Sequence, residues 1–341
     1  MPSLLEDLSA HLAGNLLGQE DAVREFATTV ALALNGRPRP ERTKGLIFLA
    51  GPTGTGKTEM VRLAGKYLYG AAVDQHLHRF DMAEYQHPDS LHRLLGALGQ
   101  PALLGQAIDR LNQAAGPGGT AFLLFDEIEK AYTDLVTILL SFDAARSTTS
   151  DGVTRDLSRI FVVITSNVGS ARAADLQHAP YSALREEVLI QAEKRFRKET
   201  LARFDARIVM NRLDYDVQRE ITRRLLEKEV AIQRDFLLRP LQVSDEVLNF
   251  LIREGFTPDL GARNLRSTVE KQVGRALLPW FARDDDAGAS DRYSRTLHLR
   301  EDRLNRRLIA VRIADEQRAP ALRASLTHPQ PADPAGIDAA A

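Results

Sequence analysis

Gly51-Pro52-Thr53-Gly54-Thr55-Gly56-Lys57-Thr58 is the stretch on which the fold turns. It fits G-x-x-x-x-G-K-[ST]. The apolar run Leu46-Ile47-Phe48-Leu49-Ala50 leads into it, and a helical pattern over Thr58–Tyr69 leads out. Glycines let the backbone from Gly51 through Pro52, Thr53, Gly54, Thr55 and Gly56 wrap phosphate oxygens, with successive amides pointing inward. Lys57 is placed to bind β- and γ-phosphates, and Thr58 to put its hydroxyl on Mg²⁺. A helix starting near Lys57 adds the positive end of its dipole. A glycine-rich turn that merely joins a strand to a helix has the same composition. The strand–loop–helix context favours the phosphate site, with ATP and Mg²⁺ as the expected ligands.

Two more short apolar runs, Ala121-Phe122-Leu123-Leu124-Phe125 and Ile160-Phe161-Val162-Val163-Ile164, suit strands buried on both faces. Helical patterns such as Gln106–Ala115 lie between the runs. This alternation predicts an α/β fold of three layers, a parallel sheet with helices on both faces. The run over 121–125 ends in Asp126-Glu127. Acids at the carboxyl end of such a strand lie where ligands collect in a doubly wound sheet. Asp126 is then expected to hold Mg²⁺, and Glu127 to orient and deprotonate the attacking water. Alone, acids after a strand more often cap a helix; beside the phosphate loop the catalytic role is favoured.

From about Asp214 the texture changes. Residues 216–237 and 244–282 carry Leu, Arg, Glu and Val at helical spacing, with no convincing strand before Arg295-Thr296-Leu297-His298-Leu299; Leu308–Ile313 is another. The expected division is a large nucleotide-binding domain over 1–213 and a smaller, mainly helical lid domain over 214–315 that ends in a short β-hairpin. Residues 316–341, rich in Ala and Pro, read as a disordered tail.

The 341 residues are 44% hydrophobic and 27% charged, with a net charge of −1. That balance gives no reason to expect nucleic acid or anionic membranes as partners. With no cysteine, disulfides, thiolate metal sites and cysteine nucleophiles are excluded. Met1-Pro2-Ser3-Leu4-Leu5-Glu6-Asp7 lacks the pattern of a signal peptide, and the apolar runs are strand-sized, so no membrane span and a cytoplasmic location are expected.

Further stretches stand in a telling order: Leu16-Leu17-Gly18-Gln19-Glu20-Asp21-Ala22-Val23, Asp81-Met82-Ala83-Glu84-Tyr85, Asp126-Glu127-Ile128-Glu129-Lys130-Ala131, Thr165-Ser166-Asn167, and Glu254-Gly255-Phe256-Thr257-Pro258-Asp259-Leu260 before Gly261-Ala262-Arg263. Together they resemble an AAA+ ATPase, and within that class the second ATPase module of Clp family chaperones of the ClpB-like kind, over residues 4–313. The resemblance implies that the segment around Leu17 packs on adenine. It makes Asn167 a sensor for the γ-phosphate and water, and Arg263 a second sensor contacting the nucleotide. Two segments compete for the arginine finger. Asn211-Arg212-Leu213-Asp214 spells the family tetrapeptide, but Phe196-Arg197-Lys198-Glu199-Thr200-Leu201-Ala202-Arg203-Phe204-Asp205 matches the longer family context. Arg203 is therefore assigned as the finger. It implies a γ-phosphate contact in trans and a ring homo-oligomer, expected to be a hexamer.

One family feature is missing. Clp unfoldases grip substrate with an aromatic loop between the second and third strands, yet no Phe, Trp or Tyr occurs between Tyr85 and Phe122. Leu98 and Leu103 are weak substitutes. Torsins, which are Clp-related, share this absence, although they lack the finger and carry cysteines. Nor does the sequence contain a stretch resembling a Clp N-terminal domain, a first ATPase module, a coiled-coil insertion or a protease-docking loop. The leading expectation is an ATP-driven remodeller of a particular protein partner or assembly. The alternatives are a processive Clp-type unfoldase, a DNA-directed AAA+ motor and a nucleotide-gated scaffold. Arg292, Arg295, Arg300, Arg303, Arg306, Arg307 and Arg312 make the C-terminal hairpin basic, but interleaved acids favour a solvated face. A pure scaffold has no need of Lys57, Asp126, Glu127, Asn167 and Arg203 together.

Overall fold

A computed structural model describes residues 3–36, 39–97, 102–140, 142–170, 172, 176, 179–237, 241–257, 261–281 and 297–312. Leu98, Pro258–Leu260, Arg292, Arg295 and the tail over 316–341 lie outside the described residues. The chain divides into two compact units, one of residues 1–220 with 257–263, the other of 221–256 with 264–341.

The first unit is built on β1 (Gly45–Ala50), β2 (Leu77–Asp81), β3 (Ala121–Asp126), β6 (Ile160–Ser166) and β7 (Ala206–Val209), with β4 (Arg146–Thr148) and β5 (Thr154–Asp156) forming a separate small hairpin. The five strands pair in parallel in the order β2-β3-β6-β1-β7. Because side chains alternate across a strand, each central strand feeds two cores. Leu46, Phe48, Leu123, Phe125, Val162 and Ile164 point to one face, where they meet the helices Leu103–Ala115 and Tyr181–Phe196. Ile47, Leu49, Phe122, Leu124, Phe161 and Val163 point to the other, against the helices Leu4–Asn15, Glu20–Asn35 and Lys57–Tyr69. Phe122 and Phe161 are fully buried and stack with centroids 5.0 Å apart. Each such side chain contributes about 1.5–3 kcal/mol by leaving water. The three-layer α/β fold expected from the sequence is the one observed.

The strand order puts the site together. β6 lies between β1 and β3, so the phosphate loop, Asp126 and the residues after Ser166 emerge side by side at one edge of the sheet. At the amino edge, Asp205 locks β7 to β1, its carboxylate accepting from the Leu46 amide and its own amide donating to the Leu46 carbonyl, both at 2.8 Å.

The second unit packs the helices Asp245–Gly255 and Leu265–Phe281 and the end of Tyr215–Leu237 against a three-stranded sheet. Phe250, Leu251, Val273, Leu277, Leu297 and Leu308 form its core. The expected terminal hairpin is β9 (Leu297–Asp302) with β10 (Arg307–Arg312), and Trp280 Nε1 donates to the Ala310 carbonyl at 3.2 Å. The helical texture over 244–282 resolves into two helices, the first ending at Gly255. One local expectation needs correction. A strand does precede residue 295: β8 (Leu241–Val243) pairs in parallel with β9, and three residues are too few to carry a readable period.

Candidate active site

The phosphate loop takes its shape from its glycines. Gly51, Gly54 and Gly56 have φ of 135°, 71° and 102°. A side chain at Gly51 would put its β-carbon 2.8 Å from the Met210 carbonyl oxygen, and one at Gly56 would sit 2.7 Å from Leu16 Cδ2. Both conformation and space thus demand glycine there. Lys57 begins the helix Lys57–Tyr69 and is buried; its Nζ donates to the carbonyls of Gly51 and Pro52, each at 2.8 Å. Burial pulls its pKa down to about 8, with the carboxylates of Glu129, Asp126 and Glu127 resisting the fall. Thr55 closes the loop with a 2.8 Å hydrogen bond to the Pro52 carbonyl.

Gly261 and Ala262 belong to the same unit and rest on this loop. A β-carbon at Gly261 would lie 2.4 Å from the Thr53 carbonyl oxygen, and the Ala262 amide donates to the Gly54 carbonyl at 3.3 Å. Arg263 is thereby carried to Glu127, with Nη1 3.6 Å from Oε1.

Asp126 ends β3 almost wholly buried. Thr58 Oγ1 lies 3.0 and 2.9 Å from its two oxygens, Arg79 Nε donates to Oδ2 at 2.8 Å, and the Thr165 hydroxyl donates to Oδ1. The same Thr165 oxygen accepts the Glu127 amide at 2.9 Å, so one hydroxyl from β6 ties both acids in place. Glu127 itself sits at φ 58°, a left-handed conformation rare for a side-chain-bearing residue. Its carboxylate accepts from Lys130 Nζ and from Asn167 Nδ2, the latter at 3.3 Å. Burial pushes the Glu127 carboxyl up, but the hydrogen bond and charge of Lys130, the Asn167 hydrogen bond and the charge of Arg263 outweigh it and hold the group below its ordinary value. The Asn167 amide in turn donates to Glu129 Oε1 at 3.1 Å.

The structure therefore brings together Lys57, Thr58, Asp126, Glu127, Asn167 and Arg263. Leu17 is half-buried in the turn before Glu20–Asn35, while its neighbour Leu16 is the one that abuts Gly56. Arg203 stands apart, half-exposed, with Nη1 3.5 Å from Asp143. Sequence reading missed Arg79, and it quoted Thr165 and Gln19 only inside longer stretches. Gln19 is buried and exchanges two hydrogen bonds with Asn211, at 3.0 and 2.7 Å, which pins the segment after β7 beside the turn at Leu17. A cavity of about 570 Å³ opens at the amino edge of the sheet beside Arg39, Arg42, Lys44 and Arg159, remote from this chemistry. Its lining carboxylate, Asp205, is the one committed to the Leu46 amide.

The donor set fits a nucleotide with a hard divalent ion. Among the described residues no group of three or more His, Asp or Glu side chains forms a self-sufficient metal cage. The hydroxyl of Thr58 and the carboxylate of Asp126 instead offer the one or two protein oxygens that suit Mg²⁺ shared with phosphates and water. The glycine-lined loop supplies the matching cradle.

Residues 42–207 match the family model of the AAA domain (Cdc48 subfamily), and residues 213–281 match the C-terminal, D2-small domain of ClpB protein. The chain thus belongs to the AAA+ ATPases, and within them to the Clp type. It is 32% identical over 277 residues to chaperone protein ClpB 1 of a Nostoc species, covering 80% of this chain and 31% of that protein. It is 33% identical over 275 residues to the chaperone protein ClpB of Lactiplantibacillus plantarum, covering 79% and 31%. Heat shock protein 100 of Trypanosoma brucei brucei is 33% identical over 287 residues, covering 80% and 32%. The chain therefore spans under a third of the length of these relatives. No described helix is long and apolar enough to cross a membrane.

Proposed function

We propose that this chain is a cytoplasmic ATP-driven remodeller of a specific protein partner or assembly, working as a ring of its own copies. The observation that carries the reading is the Glu127 carboxylate, held by Asn167, Lys130 and Arg263 beside the Thr58–Asp126 pair. Glycine-loop amides and Lys57 bind the β- and γ-phosphates, and Leu17 lines the adenine. Thr58 and Asp126 hold Mg²⁺, which when bound neutralises phosphate charge. Glu127 accepts the proton of the attacking water, and Asn167 orients that water and senses the γ-phosphate. Arg263 meets the nucleotide in cis, and Arg203 stabilises the developing charge in the neighbouring copy's site. In domain terms, residues 1–213 form the nucleotide-binding module and 214–315 its lid.

Glu127→Gln removes the base and little else. We expect turnover to fall by about two orders of magnitude or more, with ATP binding unchanged in equilibrium titration. Retained steady-state turnover would put the base elsewhere. In ATP the same variant should hold its partner in a pull-down, because the cycle stops before release. Likeness to ClpB chaperones favours a second reading, processive unfolding of many substrates. The lack of any aromatic between Tyr85 and Phe122 weighs against it, since aromatic side chains give large contact area at low entropic cost. ATP-dependent unfolding of an unrelated fluorescent protein would decide for the unfoldase.

A further inference from the structure

The parallel register of β2 with β3 sets Asp81 directly opposite Asp126. Like charges facing each other across neighbouring strands are destabilising. Arg79 lies two residues before Asp81, on the same face of β2, and its guanidinium spans the pair. Nε donates to Asp126 Oδ2 at 2.8 Å, and Nη2 donates to Asp81 Oδ2 at 3.0 Å. The two acids are unequal: Asp126 is buried with 5% of its side chain exposed, and Asp81 has 33%. A buried carboxylate needs a positive partner, and Arg79 is the cation in contact with it.

We propose that Arg79 is the resident counter-cation of the metal site, a positioning residue that holds the Asp126 carboxylate and sets how much Mg²⁺ is needed to engage it. The inference rests on the reading of Asp126 as the metal-holding acid. Arg79 and a divalent ion held by Thr58 and Asp126 draw on one carboxylate, and two cations sharing it repel each other. Asp81 gives Arg79 a second anchor, so it stays in the site while its grip on Asp126 loosens. Its planar fork, with separate N–H donors for the two acids, makes that division possible.

The test uses the full chain and Mn²⁺ as a spectroscopic probe, titrated by electron paramagnetic resonance in the presence of ADP. Arg79→Met should tighten Mn²⁺ binding about three- to tenfold, because a repelling charge near the ion is gone. ADP binding in EDTA should stay within about twofold of the parent. The melting temperature should drop in EDTA and recover most of the loss with saturating Mn²⁺ and ADP. A residue that merely stabilises the fold would lower it equally in both conditions. Unchanged or weaker Mn²⁺ binding in Arg79→Met overturns the proposal. If that variant does not fold, Arg79→Gln removes the charge but keeps a donor, and the same tightening is required of it. Asp126→Asn separates the two readings. Mn²⁺ binding that survives it sinks the metal assignment itself, whereas its loss, with no effect of Arg79→Met, sinks only the role of Arg79.

Discussion

Arg263 and Arg203 are the same residue type at nearly the same side-chain exposure, 54% and 51%, yet they live at opposite edges of one sheet. At the carboxyl edge Arg263 joins a convergent set: Glu127 at 3.6 Å, with Asn167 and Lys130 on the same carboxylate. At the amino edge Arg203, just ahead of β7, meets Asp143 at 3.5 Å, itself 40% exposed. An exposed pair of that kind contributes little to stability. Exposure alone does not mark a functional arginine; what it points at does. Under the function proposed above Arg203 has its work in a neighbouring copy, and among the described residues its ion-pair partner is the exposed Asp143.

The contrast can be broken in three places. Arg203→Ala should cost the largest effect, about three orders of magnitude in turnover, with nucleotide binding kept, whereas Arg212→Ala keeps most of the activity. The opposite result in steady-state assays would move the finger to Arg212. Lys57 gives the next effect, through pH. Burial holds its pKa at about 8 against 10.5 for the free amine. Between those values the unfolded chain binds more protons than the folded one, so Lys57 favours the nucleotide-free fold increasingly as pH rises through the window. Nucleotide phosphates restore the ammonium, and binding at pH 9 should take up nearly one proton per site, and almost none at pH 7. Calorimetry in buffers of different ionisation heat measures this, and zero uptake at pH 9 would show that Lys57 stays charged. Asp143→Asn should do least, shifting stability by under about 1 kcal/mol with turnover within about twofold. If it stops hydrolysis as Arg203→Ala does, the amino-edge pair is itself part of the machinery.

The central sheet is legible in the sequence because β1, β3 and β6 are buried on both faces and read as unbroken apolar runs. β2 is not, because Leu77-His78-Arg79-Phe80-Asp81 runs along the sheet edge and only Phe80 is buried. That obscurity hides Arg79 as well. Its bond to Asp126 spans 47 residues and depends on a strand register that no local spacing encodes. The Gln19–Asn211 clamp, 192 residues apart, is invisible for the same reason. Asp126 and Glu127, in contrast, announce themselves as acids closing an apolar run, and Lys57 and Thr58 as the end of a glycine pattern. Chemistry carried by contiguous residues is readable; the partners that orient it come from distant segments.

Glu127 sits at φ 58°, where the backbone would be more at ease with glycine. Holding a side-chain-bearing residue there costs about 1–3 kcal/mol. Replacement by glycine would relax the backbone but strip Lys130, Asn167 and Arg263 of the carboxylate they share. Backbone ease and chemistry thus pull in opposite directions at this one position, and the strain is tolerated where the carboxylate gathers Lys130, Asn167 and Arg263.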